Sequence, residues 1–153
     1  MSRRTRDESG QIAGIELLPF GLLVFVIGVL FFAQVWAVFE AKSAASSAAR
    51  ETTRTFVETP AGVGVAEANG ISRDAGMDAM SAQGRDPSRT SIDPIGRLSL
   101  ERCARVTFEV TYAVPIINIP LLNGFGDGLT VRSRHSEIVD PFRDGLTGSV
   151  TCV

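Results

Sequence analysis

The sequence predicts an α+β protein in which a single N-terminal transmembrane helix continues as a long stalk helix. A small antiparallel-sheet domain with one additional helix follows. Three observations predict this: an uncharged apolar run from Leu17 to Phe39, helical periodicity that continues to Glu58, and strict apolar–polar alternation from Arg105 to Val114. The predicted segments are a cytoplasmic head (1–11), a transmembrane helix (12–40), a stalk helix (41–59) and an extracytoplasmic domain (60–153).

The apolar run from Leu17 to Phe39 is long enough to cross a membrane. Its roughly 23 residues would form a helix of about 35 Å, against a hydrocarbon core of about 30 Å. A secretory signal peptide usually has an apolar core of only about 7–15 residues, followed by a small-residue cleavage site. Here the Ala/Ser-rich sequence from Glu40 to Ala49 continues the helical pattern. We therefore expect a retained anchor in membrane lipid, with cleavage inside the Ala/Ser run as the alternative.

The charges that flank the run favour a cytoplasmic N-terminus by a narrow margin. Arginines at positions 3, 4 and 6 precede the run, whereas Lys42, Arg50 and Arg54 follow it at a greater average distance. A long trailing domain is translocated largely regardless of its charge. We expect a single-pass protein of the cell membrane with its N-terminus in the cytoplasm and its C-terminal domain outside.

Composition and cysteine content fit an anchor with one small exported domain. The chain has 153 residues and a formal net charge of −2, which gives no electrostatic footprint for nucleic acid. About 95 residues lie beyond the anchor and its flanks, a size that folds alone with little stability to spare. Cys103 and Cys152 both lie in this part, and a disulfide between them is the simplest expectation. Two unpaired thiols in a reducing compartment are the alternative.

Small residues recur along one face of the predicted helix. Gly14, Gly21 and Gly28 are spaced by seven residues, so they lie on nearly one face, where they let another helix backbone come close within lipid. Alanines continue the strip beyond the membrane at positions 33, 37, 41, 44 and 48. The strip predicts packing against other helices. The general frequency of glycine in transmembrane helices is the alternative explanation.

Glu16 lies at the mouth of the apolar run. A carboxylate at a membrane edge is costly unless it lies in the headgroup layer or meets a cation. A neighbouring subunit's amino group would offset that cost and turn the carboxylate into a contact that sets register. Location in the headgroup layer is the simpler alternative.

The first third of the chain combines features that occur together in one family. They are an Arg-rich head that ends at Gly10, Glu16 shortly after it, a proline (Pro19) in the apolar span, and the sequence Ala48-Ala49-Arg50-Glu51 followed by Arg54. This combination resembles the TadE-like proteins, which are minor pseudopilins of the tight-adherence (Tad, or Flp) branch of type IV pili. The likeness covers Arg6 to Glu58 best and extends to the C-terminal domain only in its general strand pattern.

The resemblance implies an assembly role and a processing site. A prepilin peptidase would cut after Gly10, which makes Gln11 the new N-terminus and Glu16 the acidic residue that aligns the subunit. Glu16 is sixth after Gly10, one position later than the family pattern. The implied partners are other pilin or pseudopilin subunits, the pilus assembly machinery and the prepilin peptidase. From the residues alone, a permanently anchored extracytoplasmic binding or sensing module is the alternative function.

Periodicity and breaker residues predict the elements of the outer domain. We expect a helix within Val63 to Ala82, mainly loop from Gln83 to Pro94, a strand from Arg105 to Val114, an exposed or partner-facing loop at Ile116–Leu122, a turn at Asn123–Gly128, a returning strand from Leu129 to Val139, and a short last strand at Ser149–Val153. The second helix or the outer half of the stalk would cover the apolar face of this sheet.

Sequence motifs for catalysis are missing. His135 is the one histidine, no nucleophile elbow accompanies it, and the acidic residues near it have no metal-ligand spacing. The sequence also has no CxxC, Walker or dinucleotide-binding motif. We expect no enzymatic activity, no cofactor and no metal site.

Overall fold

The fold was analysed in a computed structural model, which describes residues 13–115 and 128–152, with side chains from Leu17 onward. Its elements are α1 (Ala13–Glu58), α2 (Val65–Ala82), a 3₁₀ turn (Pro87–Arg89), β1 (Thr90–Pro94), β2 (Arg105–Val114) and β3 (Leu129–Ile138). One helix of the described part is apolar and long enough to cross a membrane. The structure thus confirms the predicted α+β class with a candidate membrane helix.

The chain divides into two compact units, Met1–Trp36 and Ala37–Val153. The first contains the apolar part of α1, and the second contains the rest of α1, α2 and the sheet. The segment that the sequence predicts as a stalk helix therefore belongs to the same compact unit as the strands. We call Ala37–Val153 the outer unit.

The three strands form an antiparallel sheet in the order β1-β2-β3. On β2, alternate residues from Val106 to Val114 are buried, as the alternation of its sequence predicts. Phe108 lies opposite His135 of β3, and Val110 lies opposite Ile92 of β1. This register places the apolar side chains of β2 in the middle of one sheet face, where they form the core.

The outer half of α1 covers that sheet face with small residues. Five alanines of α1 are fully buried, at positions 41, 44, 45, 48 and 49. Phe56 follows them and its ring centroid lies 5.7 Å from that of Phe108. Thr52 and Thr53 are also buried, and each hydroxyl donates to the carbonyl oxygen four residues earlier. Ala41, Ala44 and Ala48 of the predicted strip are thus buried within the outer unit itself, whereas Ala33 belongs to the first unit and is exposed.

Helix α2 contacts both α1 and β1 through a glycine. A methyl group added at Gly76 would lie 2.0 Å from Thr52 Oγ1 and 2.7 Å from Ile92 Cδ1. Those distances are far shorter than van der Waals contact, so only glycine permits this approach of α2. Ala68, Ser72 and Met80 complete the buried face of α2.

The structure corrects two expectations about the outer domain. The segment predicted as mainly loop contains β1, in which Ile92 is fully buried, and Pro94 stands at the strand's end on the sheet edge, where a missing donor is tolerated. The predicted last strand does not form over the described residues 149–152, where the backbone bends at Val150 and Thr151. The expected loop at 116–122, and the turn apart from Gly128, lie outside the described residues.

The Asp86 carboxylate begins the 3₁₀ turn that leads into β1. It accepts hydrogen bonds from the backbone N–H and the hydroxyl of Ser88, at 2.9 Å and 2.7 Å. These bonds favour the charged form and lower the pKa of Asp86 below its ordinary value. The two bonds stabilise the turn locally.

We predict that Gly76→Ala destabilises the outer unit by about 1–3 kcal/mol, the usual cost of overpacking a core. Gly70→Ala, on the same helix with open space around it, should be neutral or stabilising by up to about 1 kcal/mol. Thermal unfolding of the full-length protein in detergent measures both. Adding Thr52→Ala to Gly76→Ala should recover part of the loss, and equal stability of the two glycine variants would contradict the packing argument.

Candidate assembly surfaces

The apolar part of α1 exposes nearly all of its large side chains. Phe20, Phe25 and Phe31 are 64%, 68% and 71% exposed. Near the end of this segment the rings of Phe32 and Trp36 stack with their centroids 6.4 Å apart. A soluble monomer rarely exposes so large a contiguous apolar surface, and this segment is long and apolar enough to be a candidate membrane span.

A shallow groove interrupts this apolar surface at Gly21. Leu17, Leu18, Leu22 and Phe25 line it together with the glycine. No atom lies within 4 Å of a methyl group added at Gly21 or at Gly28, so neither glycine is required by a contact within the described chain. Gly21 and Gly28, two of the predicted helix-packing residues, therefore stand in open positions on α1, and Gly14 is part of the same helix.

Of the three predicted processing and assembly residues, the structure describes the backbone of one, Glu16. Gly10 and Gln11 lie outside the described residues. Glu16 is part of α1, in its first turn, but its side chain is not described.

The predicted disulfide joins Cys103 to Cys152, with the two Cα atoms 5.2 Å apart. It fastens the C-terminal segment after β3, residues 139–152, which we call the C-terminal strap. Backbone hydrogen bonds reinforce this attachment: Val139 N–H donates to the Ala104 carbonyl at 2.9 Å, and Arg102 N–H donates to the Thr147 carbonyl at 2.8 Å. The strap is thus held against the start of β2 at several points.

Within the strap, Arg143 closes the C-terminal end of α1. Its guanidinium donates to the backbone carbonyls of Val57, Glu58 and Thr59, with 2.9 Å to the Glu58 oxygen. The last turn of α1 contains no basic residue of its own, so Arg143 supplies the cation that the negative end of a helix favours. Arg102 in turn donates to the Arg143 carbonyl through Nε and Nη2, at 3.1 Å and 3.0 Å.

Neither Arg143 nor β1 was found from the sequence. Arg143 lies 84–86 residues after the carbonyls it binds, and no local pattern marks such a long-range cap. The one available signal was the lack of a basic residue in the last turn of a helix that ends before Pro60, which indicates that some other group must satisfy its carbonyls.

His135 lies on β3 and is half-buried, on the sheet face that also carries Val131 and Ser133. Its Nε2 is 3.0 Å from Oε1 of Glu137, and its backbone carbonyl accepts a hydrogen bond from the Thr53 hydroxyl at 3.3 Å. Across the described ranges no three His, Cys, Asp or Glu side chains are grouped as a metal site. His135 therefore contributes its backbone to the contact between α1 and the sheet, and its ring has one carboxylate partner.

The opposite face of the sheet carries paired polar side chains. Arg134 of β3 forms an ion pair with Glu109 of β2, and the hydroxyls of Thr107 and Ser136 are 2.8 Å apart. Each pair connects neighbouring strands and needs no cover from another layer of structure. This face is therefore stable in contact with water.

Comparisons with protein families, with curated proteins and with solved structures found no match to this chain.

We predict that Arg143→Ala lowers the stability of the outer unit by about 1.5–3 kcal/mol, because helix carbonyls lose a charged donor. Arg143→Lys should recover only part of this, since an ammonium cannot reproduce the planar fork. Urea unfolding of the full-length protein in detergent provides the measurement. Arg50→Ala, which removes an exposed arginine of α1, is the matched control and should change stability by less than about 0.5 kcal/mol. A loss at Arg143 no larger than at Arg50 would show that the cap contributes nothing.

Proposed function

We propose that this protein is a TadE-like minor pseudopilin, a structural component in the assembly of tight-adherence (Flp-type) pili at the cell envelope. The observation that carries the proposal is the composition of α1. One helix contains an exposed apolar segment and, further along, a set of small residues buried in an α+β unit. The sequence features that resemble the TadE-like family lie partly just before this helix, at Gly10, and partly within it.

The chemistry of the apolar segment supports an assembly role. Lipid tails are as apolar as leucine, so burial of apolar area alone does not drive one helix onto another in a membrane. Close packing at small residues does drive helix association in a membrane. The groove at Gly21 and the open space at Gly28 offer positions for such packing. In this proposal other pilin or pseudopilin helices pack there, and the N-terminus is cytoplasmic with the outer unit in the envelope.

A permanently anchored extracytoplasmic binding or sensing module is the second candidate function. The cavity beside the start of α2, described below, favours it because a recognition module needs a concave site. The two functions differ at the N-terminus, since a peptidase would remove the head before Gln11 from a pseudopilin but not from a permanent anchor.

We predict that the mature chain begins at Gln11. Mass spectrometry of the N-terminal peptide of the native protein measures this directly, and a cell that lacks the prepilin peptidase should retain the uncut chain. Gly10→Val should block the cut, because the peptidase recognises the glycine in related systems. An intact Met1 or Ser2 terminus in peptidase-containing cells would favour the permanent anchor.

We also predict that Glu16→Ala leaves membrane insertion unchanged and impairs association with pilus partners. Removing a carboxylate from a membrane edge does not weaken insertion, whereas it abolishes any contact with a partner's amino group. Alkaline extraction of membranes reports insertion and co-purification reports association. Glu16→Gln, which keeps the shape and removes the charge, should behave like the alanine variant. Unaltered co-purification of both variants would count against the assembly role.

A further inference from the structure

The strap presents an exposed aromatic side chain on a fixed backbone. Phe142 is 79% exposed, although it lies in the outer unit, far along the chain from the apolar helix. Its N–H donates to the Asp140 carboxylate at 2.9 Å, and the next residue, Arg143, is held by the last two carbonyls of α1, by the carbonyl that follows them and by Arg102. The backbone on both sides of Phe142 is therefore pinned. A pre-ordered, exposed aromatic residue loses little entropy on binding, which is the property of an interface anchor.

A cavity of about 550 Å³ has a wall that includes Gly145, three residues after Phe142. Its wall contains apolar side chains from three separate segments, among them Val63, Leu98, Leu100 and Leu146. Its volume lies within the range of pockets that take drug-sized ligands and exceeds that of an aromatic ring. Phe142 of the same chain does not fill it, because that side chain is exposed and is not part of the wall.

Charges on the two features are complementary. Arg97 is exposed and forms part of the cavity wall, and Asp144 is exposed two residues after Phe142. The one cation of the strap, Arg143, is committed to the end of α1, so the charge that Asp144 presents beside Phe142 is negative. Glu101 also belongs to the wall, which means that Asp144 must approach at the Arg97 side.

We propose that this part of the outer unit is a self-association surface, in which Phe142 of each chain enters the cavity of a second copy and Asp144 pairs with the partner's Arg97. A single patch that carries both the inserted group and its receptor satisfies the requirement of a two-fold interface, because each contact is then made twice. The surface uses residues of the outer unit alone, so it goes beyond the proposed pilus role and does not depend on processing at Gly10.

Photocrosslinking of the full-length protein in detergent or in lipid nanodiscs tests the proposal. Phe142 is replaced by p-benzoylphenylalanine in an isotopically heavy chain, which is mixed with light chain and irradiated. We expect heavy–light crosslinks in peptides that contain Val63–Val65 or Leu98–Leu100 of the second copy. The same photoreactive residue at Val150, an exposed apolar position of the same strap, is the matched control and should give few such products.

Charge-reversal variants distinguish this interface from nonspecific association. Arg97→Asp and Asp144→Arg should each lower the heavy–light crosslink yield about tenfold, and the two changes combined in every chain should restore it. Glu101→Gln should leave the yield unchanged or raise it. In the unlabelled protein, Phe142→Ala should weaken association of the outer units about 30-fold, as expected for a hot-spot anchor.

Three outcomes would overturn the proposal. One is a lack of heavy–light products from position 142 under conditions in which a photoreactive residue at Gly21 gives them. Another is crosslinking to a different surface of the second copy, and the third is exclusive crosslinking in cells to an unrelated protein. A mature chain that keeps Met1 would refute the proposed pilus role and leave this interface standing, so the two failures are distinguishable.

Discussion

The close packing of a small-residue helix face on the apolar side of β2 is the interaction on which the outer unit depends. Alanines bring the α1 backbone near the sheet, and the large side chains needed to fill the space come from Phe56 and Phe108. Burial of the Thr52 and Thr53 hydroxyls adds little free-energy cost, because each donates a hydrogen bond to a backbone carbonyl of its own helix. A helix with larger residues at these positions would have to move away from the strands, and the core would lose its contacts.

This packing sets the position of the end of α1 and thereby the role of the strap. Helix carbonyls at residues 57–59 need donors, and the last turn provides no cation. Arg143 reaches them only because the strap is tied to the start of β2 by Arg102 and by the Cys103–Cys152 bond. The disulfide closes a sequence separation of 49 residues, which in the chain-entropy description contributes about 4 kcal/mol. A small core thus receives support from a covalent link that also places a helix cap.

Local periodicity accounts for the elements that could be predicted. Alternation in Arg105–Val114 and helical spacing in Val63–Ala82 specify β2 and α2, because each buries a face of regular period. Strand β1 has one buried apolar residue, Ile92, between prolines, so no period is visible in the sequence. The cap by Arg143 depends on tertiary contacts over more than 80 residues, which single-sequence patterns do not encode. The processing residues were suggested by family resemblance rather than by any physical pattern.

The two units place different demands on a partner. In the proposed assembly, the exposed leucines and phenylalanines of α1 would face lipid or other helices without fixing a register, and the Gly21 groove and Glu16 are the features proposed to set it. The outer unit has already buried its alanine face, and its open sheet face is satisfied by cross-strand pairs. Directional contacts of the outer unit are therefore left to the strap and the cavity beside it. A subunit that combined both kinds of contact would gain effective concentration from the membrane, so an outer interface that is weak on its own would still associate.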